Sequence, residues 1–194
     1  LKQKAQIHDT FGQYLDPRIV KDLIDQPALT AGQGERRLMT VLFCDLAGFT
    51  ALSERMTPVA MVNVMNRYLS AMSEPIRAHD GIIDKYIGDA IMAFWGPPFT
   101  GDDDHARLAC LTALAQLSGL ESFRATLPDL IGIKCGLPEI QMRVGIATGE
   151  VVVGNIGSDF AMSYTVMGDA VNVASRLEGA NKSYGTGSLV SELT

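Results

Sequence analysis

The stretch MTVLFCDLAGFT (residues 39–50) gives the clearest indication of how this chain folds. Residues 39–46 form an almost unbroken apolar run, which is typical of a β-strand buried on both faces. Asp45 interrupts the run near its end, where an unpaired carboxylate is costly to bury. The residues Gly48, Phe49 and Thr50 predict a loop that leads directly into a short helix. We therefore expect a central strand with a carboxylate at its loop end.

Strand and helix signals continue towards the C-terminus. Thr57-Pro58 predicts the start of a long helix, and Gly81 is expected to cap its C-terminal end. Gly88-Asp89 joins the apolar runs Ile82–Ile87 and Ala90–Trp95, a pattern that predicts a β-hairpin. The remaining predicted elements are a helix from the acidic triplet 102–104 to about residue 123, strands over 140–148, 151–156, 163–167 and 188–193, and a helix over 170–180.

This order of elements predicts the fold class. Helices do not follow every strand, so the pattern does not match a doubly wound parallel sheet. Its first half matches the split β-α-β arrangement instead. We expect an α/β (α+β) domain with a ferredoxin-like βαββαβ core sheet and flanking helices.

Residues 1–34 differ from the rest of the chain and predict an amphipathic helical connector. Asp16-Pro17 is a helix-start pair, with aspartate as N-cap and proline in the first turn. Apolar residues at helical spacing follow at Ile19, Val20, Leu23 and Ile24. The stretch 31–34 then predicts a flexible link, which gives a connector over 1–34 and a single domain over 35–194.

The composition narrows the class of protein. The 194 residues include 16 Lys and Arg against 22 Asp and Glu, so the formal net charge is −6. This balance argues against nucleic-acid partners and anionic lipid, and no uncharged apolar run reaches the roughly 18 residues of a membrane span. Three scattered cysteines (Cys44, Cys110 and Cys135) predict reduced thiols rather than a zinc site. We expect a cytoplasmic domain without membrane contact of its own, and membrane anchoring of a longer parent protein stays open.

Asp45 and Asp89 form the sharpest functional pattern in the sequence. One lies near a strand end and the other in a tight turn, and adjacent strands of one sheet would bring the two carboxylates together. Because like charges repel, a shared cation is one explanation, and oxygen ligands suit Mg²⁺ or Mn²⁺. The alternative interpretation is structural, with Asp45 as a strand-end residue and Asp89 as a turn residue.

An acidic pair that holds two divalent ions is useful in phosphoryl transfer. The loop of Gly48, Phe49 and Thr50 fits this chemistry, because glycine allows close backbone approach and helix-start N–H groups bind phosphate oxygens. Asn172 and Arg176 lie four residues apart on a predicted helix, so they share one face. An amide can orient a ribose or phosphate, and a guanidinium can stabilise charge at phosphorus. Taken alone, the pair also fits a solvated helix face.

Four segments carry a family resemblance: FCDLAGFTALSE (43–54), DKYIGDAIMAFWG (84–96), RVGIATGEVVVGNIGS (143–158) and YTVMGDAVNVASRLE (164–178). In this order and spacing they closely resemble class III nucleotidyl cyclase catalytic domains, from about Glu35 to the end. Residues 14–30 also resemble the connector that often precedes such domains. The resemblance implies an adenylyl cyclase, which converts ATP to 3′,5′-cyclic AMP and pyrophosphate as the output of signal transduction.

The resemblance also implies roles for single residues. Two Mg²⁺ or Mn²⁺ ions would be held by Asp45 and Asp89, with help from the carbonyl of Leu46. Asn172 would orient the ribose, and Arg176 would stabilise the transition state. The working unit would be a head-to-tail homodimer, in which the metal half of one chain faces the other half of its partner.

Lys85 and Thr165 match the two base-reading positions of the family. This combination resembles the class IIIb branch, which includes bicarbonate-responsive adenylyl cyclases, so bicarbonate regulation is a further implied property. The chemistry agrees with adenine, since a Lys ammonium can donate to N1 and a Thr hydroxyl can accept from the N6 amine. Guanine would turn its N1–H donor towards the Lys donor.

Two alternatives stay open. A guanylyl or diguanylate cyclase is the first; Lys85 argues against the former, and the lack of a GGDEF-like stretch argues against the latter. The second is a non-catalytic dimerising or nucleotide-sensing module. Loss of any of four residues would mark such a module, but all four are present, namely Asp45, Asp89, Asn172 and Arg176. Family members normally supply a further Lys to the triphosphate from a later segment, so residues up to Thr194 are expected to lack that ligand and the closing strands.

Overall fold

The computed structural model describes residues 16–25, 34–133 and 136–194. Cys135 and residues 1–15 and 26–33 of the predicted connector, which include 31–33 of its predicted link, lie outside the described residues, as do the side chains of Leu23 and Ile24. The helices are α1 (Pro17–Asp25), α2 (Phe49–Ser53), α3 (Pro58–Ala78), α4 (His105–Ile131) and α5 (Asp169–Tyr184). The strands are β1 (Glu35–Ala47), β2 (Ile82–Ile87), β3 (Ala90–Trp95), β4 (Gln141–Ser158), β5 (Ala161–Met167) and β6 (Ser188–Val190).

Strand β1 lies at the centre of a six-stranded sheet with the order β2-β3-β1-β4-β5, and β6 runs parallel to β4 at its side. The pairs β2–β3, β3–β1, β1–β4 and β4–β5 are all antiparallel. The first four strands in this order, with the helices between them, form the ferredoxin-like βαββαβ core. The predicted fold class is therefore confirmed.

Both faces of β1 are covered, as its apolar run predicts. On one face Leu42 and Cys44 pack with Tyr68 of α3 and with apolar residues of α4. On the other face Met39 and Val41 belong to a second cluster that includes residues of β5 and α5. Cys44 is completely buried, and burial raises the pKa of its thiol to about 12. No helix in the described ranges is long and apolar enough to cross a membrane.

Helix α1 packs on the second cluster through Ile19, which is buried. Asp16 caps this helix as predicted, since its Oδ1 accepts a 2.9 Å hydrogen bond from the backbone N–H of Arg18. The Arg18 guanidinium donates to the carbonyls of Asp80 and Gly81, at 3.0 and 2.7 Å. The connector helix is thus tied to the residues immediately before β2.

The predicted break between two strands at Gly149-Glu150 is wrong. Strand β4 is continuous there, because its antiparallel pairing with β1 includes Met39 opposite Gly149 and Leu38 opposite Glu150. Close packing, rather than a turn, explains the glycine at residue 149. A Cβ on Gly149 would lie 3.1 Å from the Cβ of Ala170 on α5.

Three smaller predictions are also corrected. Helix α4 does not end near Phe123 but continues through Pro128 to Ile131, because Phe123 and Leu127 remain buried against the core. The last strand covers Ser188–Val190 only. The left-handed residue after α3 is Asp80, with φ 60°, rather than Gly81. A Cβ on Gly81 would lie 2.5 Å from the Trp95 ring, so close packing explains this glycine.

Candidate functional site

The two predicted metal ligands lie on neighbouring parts of the sheet. Asp45 is close to the end of β1, and Asp89 is in the two-residue turn between β2 and β3. Antiparallel pairing places Cys44 opposite Ile91, so Asp45 lies beside the start of β3. Burial raises the pKa of Asp89, and the negative charge of Asp45 raises it further. The structure therefore brings the two carboxylates within electrostatic reach of each other.

Arg143 and Glu178 extend this cluster, and the sequence analysis missed both. Arg143 is the register partner of Asp45, and its Nη2 donates a 3.0 Å hydrogen bond to Asp45 Oδ2. Its Nε lies 3.3 Å from Glu178 Oε1 on α5. Burial and the charge of Asp45 raise the pKa of Glu178, while Arg143 opposes the rise. The signal that could have found Arg143 is the pairing register of β1 with β4.

The donor set of this cluster fits a divalent cation of the magnesium type. Three carboxylates face one guanidinium, which leaves an excess of negative charge. In the described part of the chain, no group of three or more His, Cys, Asp or Glu side chains is arranged to hold a metal ion. Mg²⁺ is commonly held by one or two carboxylates, with waters and substrate phosphates as the other ligands. Asp45 and Asp89, with the backbone carbonyl of Leu46 in β1, match such an incomplete protein site.

The loop after β1 turns into the short helix α2 at Gly48. Gly48 has φ 88°, in the left-handed region, and it is the N-cap of the short helix α2. A Cβ at this residue would lie 3.1 Å from the carbonyl oxygen of Glu139. The Phe49 side chain is buried in the core, so only its backbone is available to a ligand, whereas Thr50 is exposed.

Helix α5 presents Asn172 and Arg176, and both are exposed. Its close approach to the sheet depends on Gly145 of β4, where a Cβ would lie 2.1 Å from the carbonyl oxygen of Ala174. Within the described ranges, the side chains of Asn172 and Arg176 make no hydrogen bond or ion pair with Asp45 or with any other residue. The structure therefore does not join the two predicted catalytic residues to the carboxylate pair of their own chain.

Lys85 and Thr165 are brought together by a third residue, Asp84. The Thr165 hydroxyl donates a hydrogen bond to Asp84 Oδ2, and Lys85 Nζ lies 3.3 Å from Asp84 Oδ1. Burial raises the pKa of Asp84, and both the hydrogen bond from Thr165 and the charge of Lys85 oppose the rise. Strands β2 and β5 are separated by three others in the sheet order, so the sheet curls strongly to allow this contact. Sequence analysis missed Asp84, whose signal is a charge inside an apolar strand.

Comparisons with known proteins agree with this geometry. Residues 33–186 match the family model described as "Adenylate and Guanylate cyclase catalytic domain". Adenylate cyclase 1 of Rhizobium meliloti (strain 1021) is 40% identical over 182 residues, which cover 94% of this chain and 26% of that protein. An adenylate cyclase of Anabaena cylindrica is 38% identical over 186 residues, which cover 95% of this chain and 36% of that protein. The chain thus spans about a quarter to a third of the length of these two curated relatives.

Two solved structures are equally similar in sequence. The adenylyl cyclase CyaB from P. aeruginosa is 38% identical with a TM-score of 0.70, over 76% of this chain and 74% of that chain. The guanylyl cyclase Cya2 is 38% identical with a TM-score of 0.71, over 82% of this chain and 77% of that chain. The chain therefore belongs to the family of adenylate and guanylate cyclase catalytic domains.

Proposed function

We propose that this domain is an adenylyl cyclase, which forms 3′,5′-cyclic AMP and pyrophosphate from ATP and acts as the output of a signalling protein. The observation that carries the proposal is the proximity of Asp45 and Asp89 at one end of β1 and β3. A pair of carboxylates with few other protein ligands suits a site that metal ions share with a triphosphate. The adenylate cyclase relatives at 38–40% identity support the same activity.

Cyclases of this family generally depend on divalent metal ions. We assign Asp45, Asp89 and the Leu46 carbonyl as ligands of two Mg²⁺ or Mn²⁺ ions. When bound, such ions make the ATP 3′-hydroxyl more acidic and neutralise the charge of the triphosphate. Arg143 keeps Asp45 in place through its 3.0 Å hydrogen bond.

The other predicted residues act on the nucleotide itself. The backbone at Gly48, Phe49 and Thr50 contacts phosphate oxygens, which the left-handed Gly48 allows at close range. Asn172 orients the ribose, so that the 3′-oxygen is in line with the α-phosphorus. Arg176 stabilises the negative charge that develops there during the attack.

Cyclase domains of this class act as dimers on a nucleotide substrate. We propose a head-to-tail homodimer, in which Asp45 and Asp89 of one chain face Asn172 and Arg176 of the other. The exposed and unpaired state of Arg176 supports this arrangement. Exposed apolar side chains on the β4–β5 hairpin, such as the fully exposed Phe160, offer surface for the contact.

We assign adenine as the base that the site reads, from the identities of Lys85 and Thr165. Adenine offers an acceptor at N1 and a donor at N6, which suit an ammonium and a hydroxyl acceptor. Guanylyl cyclase activity is the second candidate, because Cya2 is as similar in sequence as CyaB. The Lys85 ammonium disfavours it, since guanine N1–H would find no acceptor there. Regulation by bicarbonate and a cytoplasmic location stay predictions.

Product identification tests the proposal directly. The purified protein is incubated with ATP or with GTP, in Mg²⁺ or Mn²⁺, and the products are separated by chromatography. Cyclic AMP should form from ATP, and the Asp45→Ala variant should form none. Cyclic GMP as the main product would establish the second candidate. Absence of both products would point to a non-catalytic module.

A further inference from the structure

Asp84 has no role in the cyclase assignment above, although it lies between the two residues that read the base. It is the extra residue of a β-bulge in β2, where Ile83 pairs with Ala93 and Lys85 already pairs with Met92. A bulge re-aims side chains that would otherwise alternate between the two faces of the strand. Here it lets the neighbouring side chains of Asp84 and Lys85 approach each other.

The Asp84 carboxylate is almost completely buried, with 1% of its side chain exposed, whereas the side chain of Lys85 is 43% exposed. Its Oδ2 accepts the hydrogen bond from Thr165. Its Oδ1 makes no hydrogen bond to the described residues and is 3.3 Å from Lys85 Nζ. An ion pair with a half-exposed lysine stabilises a fold only weakly. The ion pair alone therefore does not account for a carboxylate at this buried site.

The hydrogen bond from Thr165 determines what that residue can offer to a ligand. An ionised carboxylate only accepts hydrogen bonds, and a threonine hydroxyl has a single proton. Because this proton is directed to Asp84, Thr165 Oγ1 can present only lone pairs in other directions. It can then accept from the 6-amino group of adenine, but it repels the 6-oxo group of guanine.

We infer that Asp84 is a specificity-determining positioning residue, which selects 6-aminopurine over 6-oxopurine nucleotides by fixing Thr165 as an acceptor and Lys85 as a donor. The inference rests on the proposed function, since it takes Lys85 and Thr165 to face the base. Asp84 itself acts only through these two side chains.

The variant Asp84→Asn tests the inference. The Lys85 ammonium favours the amide oxygen on its own side, so the amide N–H₂ faces Thr165 and donates to Oγ1. The Thr165 hydroxyl is then free to donate to a 6-oxo group. We expect the ratio of kcat/KM for ATP to that for GTP to fall by about tenfold or more, because mispaired polar groups in a binding site cause discrimination of at least this size. ITP has the 6-oxo group but not the 2-amino group of GTP. The kcat/KM for ITP should therefore rise relative to that for ATP in the same way.

Matched variants separate this role from a structural one. Asp129→Asn, an exposed change on α4, should leave the ATP:GTP ratio unaltered. Thr165→Ser retains the hydroxyl and should keep the ratio within about threefold, whereas Thr165→Val should lower it. In the Thr165→Val background, Asp84→Asn should change the ratio much less than in the parent, because the hydroxyl that it reorients is absent.

Equal losses of kcat/KM for ATP and GTP in Asp84→Asn, with the ratio within twofold of the parent, would overturn the inference. If Asp84→Asn does not fold, Asp84→Glu keeps an acceptor-only group and must retain the preference for ATP. Dissociation constants for ATP and GTP, measured by calorimetry, give the same ratio without turnover. A parent that binds ATP selectively through Asp84 but forms no product would refute the cyclase proposal and leave this inference standing.

Discussion

Asp45 on β1 and Arg143 on β4 are direct register partners, and a 3.0 Å hydrogen bond joins their side chains. The same guanidinium lies 3.3 Å from Glu178, so one cation compensates carboxylates from a strand and from a helix. The carboxylate pair assigned to metal binding is thus supported by a residue to which the sequence analysis gave no role.

Replacement of Arg143 should therefore destabilise the fold. In Arg143→Met, Asp45 and Glu178 lose their shared partner, and we expect a loss of about 1–3 kcal/mol in the free energy of unfolding. Urea denaturation measures this value. Arg143→Lys keeps the charge but cannot contact both carboxylates in the same geometry. Its free energy of unfolding should therefore lie between those of Arg143→Met and the parent. An unchanged midpoint in Arg143→Met would show that the cluster contributes nothing to stability.

Removal of either proposed metal ligand should abolish turnover and preserve the fold. Asp45→Ala and Asp89→Ala remove oxygen donors that lie near the end of β1 and in the β2–β3 turn rather than in the core. Cyclic AMP formation should fall below detection at saturating Mn²⁺, while the circular dichroism spectrum stays that of the parent. Near-parental activity in either variant would refute the two-ion assignment.

Gly145→Ala should displace helix α5. The new Cβ would lie 2.1 Å from the Ala174 carbonyl oxygen and 2.2 Å from the Glu178 nitrogen, contacts that backbone cannot relieve without moving. Overpacking of this kind costs about 1–3 kcal/mol, and activity should fall because Asn172 and Arg176 move with the helix. Gly179→Ala is the control, since its Cβ meets nothing within 4 Å and alanine should stabilise the helix by about 0.5–1 kcal/mol. Equal melting temperatures for the two variants would contradict this account.

His105 should make stability depend on pH. It is buried with its Nδ1 2.7 Å from Thr40 Oγ1, and burial lowers its pKa below 6.5, although the charges of Asp102 and Asp103 oppose this. The unfolded chain then binds a proton more readily than the fold, so the stability from this group is complete above about pH 6.5 and is lost as pH falls below it. His105→Gln should lose less stability than the parent between pH 7.5 and 5.5 in urea titrations. Parallel losses in both proteins would exclude His105 as the cause.

Mixing of two inactive variants tests the shared active site. Asp45→Ala damages the metal half of a chain, and Arg176→Ala damages the other half, so each homodimer has two defective sites. In a mixed dimer one site carries both lesions and the other carries none. Random pairing of equal amounts should restore about a quarter of the parental rate of cyclic AMP formation. No recovery, with mixed dimers confirmed by cross-linking, would mean that each site forms within one chain.

Local patterns were sufficient to single out the residues whose signal lies within one segment. Asp45 stands out because it interrupts an apolar strand, and Asp89 because it occupies a two-residue turn. Thr57-Pro58 and Asp16-Pro17 mark helix starts by their own chemistry, and both helices begin as expected. The family prediction is also confirmed, since its four motifs are each contiguous in sequence.

The remaining features depend on which segments meet in space. Arg143 matters because β4 pairs with β1 in one register, and Asp84 matters because the curled sheet brings β5 to β2. No local pattern contains either contact. Glycine signals were ambiguous for a related reason. Gly149 and Gly81 resemble turn or cap residues in sequence, but each is small because another element packs against it.

The length of β4 sets a limit on how related chains can vary. This single strand carries Arg143 opposite Asp45 near its start and Gly154 opposite Thr165 near its end, so it fixes the spacing of the metal half and the base half within one chain. One inserted or deleted residue would turn every later side chain to the opposite face of the sheet. The hairpin tip at Asp159 and Phe160 has no such constraint, since Phe160 is 99% exposed. The fold of a single chain therefore tolerates insertions at this tip but not between Arg143 and Gly154.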